Sequence, residues 1–212
     1  MRYLNQQLAV ILILSFVPLK LALADSLVAD AAMVNDAGRV TELLRLGEDV
    51  NSAQGDGMTA LHWAAENGNG FVANMLISAG ANLSAVTRMG GYTALHLASR
   101  NRSADVVSVL LAAGSDVTSK TTTGEVTALH FAAASGDVEI IHQLVEAGAE
   151  VNAMESVWHQ TPLMFAAGGN RLGAVRALFE HGADLQATSK VIDLVARHAE
   201  DLEAKKRRDE VL

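Results

Sequence analysis

The chain has 212 residues, 16 of them Lys or Arg and 24 Asp or Glu, for a net charge of −8, and it contains no cysteine. The absence of cysteine excludes disulfides and thiolate metal sites. The acidic balance argues against nucleic acid as a partner, because a phosphate backbone is bound by clustered positive charge.

The first 24 residues differ from everything after them. Arg2 gives a short basic start, Leu8 to Leu19 is an apolar run of 12 residues, and Ala22-Leu23-Ala24 supplies small residues before Asp25. That order predicts a secretory signal peptide over 1–24, cut between Ala24 and Asp25. The run falls short of the roughly 20 apolar residues that a membrane-spanning helix needs. The expected destination is outside the cytoplasm, secreted or periplasmic, with no membrane attachment after cleavage.

From residue 25 the chain is periodic. Thr59-Ala60-Leu61-His62-Trp63-Ala64-Ala65 returns as Thr93-Ala94-Leu95-His96-Leu97-Ala98-Ser99, as Thr127-Ala128-Leu129-His130-Phe131-Ala132-Ala133 and as Thr161-Pro162-Leu163-Met164-Phe165-Ala166-Ala167, each 34 residues after the last. An earlier copy begins near Ser26, with Ala31-Ala32 at the alanine pair. The threonine suits a helix N-cap, and the histidine three places on can reach back to it as the acid of a capping box does. The leucine points inward, and the alanines keep one face thin enough for a second helix to lie close.

A second signature follows at a constant offset, as in Ile140-Ile141-His142-Gln143-Leu144-Val145-Glu146-Ala147-Gly148, and reads as the second helix of a hairpin. Gly80, Gly114, Gly148 and Gly182 hold one position after its last turn, where a left-handed residue ends the helix without a Cβ clash.

These two signatures together resemble the ankyrin repeat. The resemblance implies an all-α solenoid of about five helix–loop–helix repeats with projecting β-turn fingers, over residues 25–190 with repeats starting near 26, 59, 93, 127 and 161. Three departures stand out: Arg102 and Asn170 occupy an expected turn glycine, and Met164 replaces the histidine. The polar Asp30, Asp36, Arg39 and Glu42 suit the first repeat to an end cap. Residues 191–212 read as a degenerate repeat and a charged capping helix, in which Lys205-Lys206-Arg207-Arg208 is surrounded by acids.

No catalytic, metal or cofactor constellation is expected. His62, His96 and His130 lie in register, but stacked helices are about 8–10 Å apart, and zinc–nitrogen bonds of about 2.0–2.1 Å cannot gather them on one ion. Gly55-Asp56-Gly57-Met58-Thr59-Ala60 looks like a dinucleotide fingerprint but lacks the preceding strand and the later acid. The predicted activity is therefore non-enzymatic protein binding, with an inhibitor or immunity-type protein, or a structural scaffold, as the alternatives. An enzyme with an unrecognised site is the least favoured.

In the family this chain resembles, contacts come mostly from the finger tips and the exposed end of each first helix. Carried over by register, the partner-binding set begins with Met58, Glu66 and Asn67, continues with Met89, Tyr92, Arg100 and Asn101, and ends with Val126, Trp158 and His159. The finger aromatics either pack over a neighbouring finger or face a partner.

Overall fold

The computed structural model describes residues 26–190 and Arg207. The expected signal peptide and the expected C-terminal helix, apart from the helical Arg207, lie outside the described residues.

Among residues 26–190 ten helices form five antiparallel pairs. The first helices are α1 (Leu27–Met33), α3 (Ala60–Glu66), α5 (Ala94–Arg100), α7 (Ala128–Ser135) and α9 (Pro162–Gly168). The second helices are α2 (Ala37–Arg45), α4 (Gly70–Ser78), α6 (Ala104–Ala112), α8 (Val138–Glu146) and α10 (Leu172–Glu180). Each first helix packs on its own second helix and on the first helix of the next repeat. The result is two layers of helices with fingers projecting from the junctions, and the described residues contain no strand beyond one isolated bridge between Lys120 and Thr127.

The core follows from the repeat pattern. Leu61, Leu95 and Leu129 are buried, as are Leu76, Leu110, Leu144 and Leu178 on the second helices. Ala64, Ala98, Ala132 and Ala166 are also buried, where a larger side chain would push neighbouring helices apart. The second helices have their own caps at matched positions: Asp36, Asn69 and Asp137 each accept the backbone N–H three residues on.

Adjacent repeats are also joined by side chains. Asn51 donates to the Gly80 carbonyl at 3.1 Å and accepts from the Asn82 amide at 2.7 Å. Asn152 repeats the pattern with Gly182 and Asp184.

The two non-glycine turn residues adopt the shape that glycine was expected to supply. Arg102 has φ 60° and Asn170 φ 54°, beside φ 67° at Gly68 and 81° at Gly136 in the equivalent positions. Asparagine tolerates the left-handed region, while arginine is strained there by about 1–2 kcal/mol. At Arg102 the following Ser103 amide donates to the Ala98 carbonyl at 3.0 Å across the turn, and the exposed guanidinium lies 3.6 Å from Asp137.

Gly114 ends α6 at φ 87°, with nothing within 4 Å of where a Cβ would stand. A Cβ there meets open space, so the cost expected of a β-branched side chain is backbone strain. Gly114→Val should lower unfolding free energy by roughly 1–3 kcal/mol, read as a lower thermal midpoint. An unchanged midpoint would show that residue 114 does not take the left-handed conformation.

Candidate functional site

The face that carries the predicted contacts is built first of all from histidine. In repeats two to four the imidazole Nδ1 accepts the amide N–H and the hydroxyl of the capping threonine, at 3.2 and 2.8 Å for His62 with Thr59. The same nitrogen of His96 meets Thr93 at 3.1 and 2.9 Å, and that of His130 meets Thr127 at 3.3 and 2.9 Å. With Nδ1 an acceptor, the proton resides on Nε2. That N–H donates across to the following finger, to the Tyr92 carbonyl at 3.0 Å, the Ser119 carbonyl at 3.1 Å and the Gln160 carbonyl at 3.1 Å.

Each histidine thus caps the start of its own helix and anchors the next finger. The fifth repeat lacks this link, since Met164 has no N–H to donate and only a weakly accepting sulfur, and the Thr161 hydroxyl is buried without a partner among the described residues.

The fingers are joined tip to tip by backbone bonds. Arg88 donates to the Asp56 carbonyl, Thr122 to Gly90, Ser156 to Gly124 and Lys190 to Trp158, at 2.7–3.0 Å. Within the finger before α5, the Thr87 hydroxyl accepts from the Tyr92 amide at 3.0 Å and donates to the Met89 carbonyl at 2.8 Å. Thr121 does the same with Val126 and Thr123.

The finger before α9 uses Glu155 instead. Its carboxylate accepts from the amides of Val157 at 2.7 Å, Trp158 at 2.6 Å and Gln160 at 3.0 Å. Burial pushes this carboxyl up, but the three amides and nearby His130 outweigh it and hold it below the usual carboxylate range.

On this frame the predicted residues divide. Met58, Glu66, Met89, Tyr92 and Arg100 converge on one cleft of about 240 Å³ between the second and third repeats, together with Asp56, Trp63, Thr87 and Leu97. Met89 is 81% exposed. Trp63 donates from its indole N–H to the Gln54 side chain at 2.7 Å, which fixes the ring at the cleft wall. Arg100 pairs with Glu66 at 2.9 Å and lies 5.6 Å above the Tyr92 ring. Tyr92 also packs against Phe131, with ring centroids 5.8 Å apart, so it both faces the cleft and supports the next repeat.

The remaining predicted residues stand elsewhere. Asn67 donates to the Ala32 carbonyl at 2.9 Å, and Asn101 to the Glu66 carbonyl at 3.2 Å, so both amides join neighbouring first helices. Val126 is half-buried beside Gly124. Trp158, 45% exposed, and His159, in a left-handed turn at φ 55°, occupy the tip held by Glu155. Asp56, Trp63, Thr87 and Leu97, which line the cleft, and Glu155, which holds the last finger, stand outside the expected set. The sequence signal for Glu155 was an acid in the register of Thr87 and Thr121, between the apolar Met154 and Val157.

Among the described residues no group of three or more His, Asp or Glu gathers as a metal site would require. The close pair His142 and His181, with Nδ1 and Nε2 2.7 Å apart on the second-helix side, has no third ligand among them.

Burial pushes His62 and His130 below the ordinary histidine value and His96 down to about 4. The unfolded chain therefore takes up protons first. Stability should be full above about pH 6.5 and fall towards pH 4, by at most about 1.4 kcal/mol per pH unit for each histidine. Denaturant unfolding followed from pH 7.5 to 5 should show this decline, and a flat profile would contradict the neutral, cap-bound imidazoles.

The chain matches the family described as "Ankyrin repeats (3 copies)" over residues 28–121 and 118–189. It is also similar to a human protein, Ankyrin repeat domain-containing protein 39, at 40% identity over 57 residues. That match covers 27% of this chain and 31% of the human protein.

Proposed function

Because the chain belongs to the ankyrin repeat family, whose members typically bind other proteins and are typically not enzymes, we propose that it is a non-enzymatic binding module whose partner, another protein, is held on the finger and first-helix face. The single observation that carries this reading is the cleft between repeats two and three. There Met89 stands exposed, and Met58, Trp63 and Tyr92, half-buried against the core, leave part of their apolar surface open to the cleft. Aromatic and arginine side chains dominate interface energetics when a partner covers them, and a cleft flanked by them supplies shape as well as area.

A mature chain carrying Tyr92→Ala or Trp158→Ala should bind its partner more weakly by about 2 kcal/mol or more, the ordinary cost of truncating an interface anchor. Glu146→Ala, on the second-helix side, should bind as the parent does. Calorimetry against the captured partner decides the matter. Loss of affinity confined to Glu146→Ala would move the interface to the convex back.

The site of action in this proposal is outside the cytoplasm, secreted or periplasmic. The support is the basic start, the short apolar run and the small residues before Asp25. Terminal sequencing of the protein from its native source should begin at Asp25, and a sequence beginning at Met1 would overturn the assignment.

A further inference from the structure

The composition of that cleft indicates more than apolar contact. Its walls are Trp63 and Met58 from one repeat and Tyr92 and Met89 from the next, and its charges are the carboxylates of Asp56 and Glu66 and the guanidinium of Arg100. Arg100 is not available as an outward-facing anchor, because its guanidinium is engaged by Glu66 at 2.9 Å while lying over Tyr92. An aromatic face with a carboxylate beside it attracts a cation through both the ring quadrupole and direct charge. Arg100 thus occupies a position built for a cation, and it does so through an ion pair with both partners well exposed, at 42% and 34%. Such a pair contributes only about 0–1 kcal/mol.

We propose that a basic side chain of the partner, lysine or arginine, enters this cleft between Trp63 and Tyr92, displaces Arg100 from Glu66, and takes Glu66 and Asp56 as its counter-charges. The occupant is a positively charged protein segment, which complements a chain of net charge −8. This inference rests on the interaction-face reading above and specifies the chemistry of what is bound there. It assigns Arg100 the role of an internal competitor, the reverse of its role with an acidic partner, for which it would be the main attractive group.

The two tryptophans of the chain make the test direct, since Trp63 lines the cleft and Trp158 stands on a different finger. The mature chain is titrated with butylguanidinium, neutral butylurea and anionic pentanoate, and the two indole N–H resonances are followed by NMR. Butylguanidinium should shift the Trp63 signal saturably and leave Trp158 in place, and butylurea and pentanoate should do neither. Arg100→Ala should tighten butylguanidinium binding by up to about fivefold, the factor expected from removing an exposed ion pair. Within the Arg100→Ala background, Glu66→Gln should reverse that gain.

Equal binding of butylurea would show that the cleft takes an aliphatic side chain, whatever its charge. Binding of pentanoate that Arg100→Ala abolishes would show an acidic partner. No shift with any probe would show that no such subsite exists. Each of these overturns the inference. The broader reading is judged separately by the partner affinity of Tyr92→Ala, so it stands or falls independently of the probe titration.

Discussion

The joining of repeats two to five depends on an imidazole kept neutral. In His62, His96 and His130 one ring nitrogen must accept and the other must donate, and only the neutral form does both. The accepting nitrogen closes the capping box of its own helix, and the donating one reaches the backbone of the next finger. A local helix signal therefore becomes a connection between repeats. Protonation would add a donor where an acceptor is required and place a charge where water is scarce, which is why burial depresses all three groups.

Local patterns of this kind were legible in the sequence because they repeat. The threonine caps, the alanine faces and the left-handed glycines are each imposed by backbone geometry, and a 34-residue period repeats them until chance is excluded. The left-handed turn at Arg102 shows where residue type stops being informative. The turn takes the same left-handed shape there as at Gly68 and Gly136, so the connection between the two helices overrules the propensity of the one residue.

The site was only partly legible for a related reason. The contact positions of the family it resembles, carried over by register, placed Met58, Glu66, Met89, Tyr92 and Arg100 on one face, and they do meet in one cleft. What register could not show is which side chains are already engaged. Asn67 and Asn101 sit at contact positions, yet their amides bond to the preceding helix. Arg100 is held by Glu66 and Tyr92, and Trp158 owes its setting to Glu155. The asparagine bonds and the Arg100–Glu66 pair join residues 34 or 35 positions apart, which no single repeat reveals, while the Tyr92 and Glu155 contacts are local and depend on the folded shape of the finger.

The tip-to-tip bonding of the fingers sets a scale on what can be recognised. Backbone bonds join each finger to the next, so the tips cannot spread independently, and the spacing between them is that of the stacked helices beneath. Tyr92 and Trp158 stand roughly two repeats apart, about 20 Å at 8–10 Å per helix layer. An extended segment rises about 3.3 Å per residue, so about six residues would span from one aromatic to the other. In the proposed binding mode the array would act as a ruler whose graduations are fixed by hydrogen bonds, and a partner segment touching both Tyr92 and Trp158 would be selected by its length before any side chain is read.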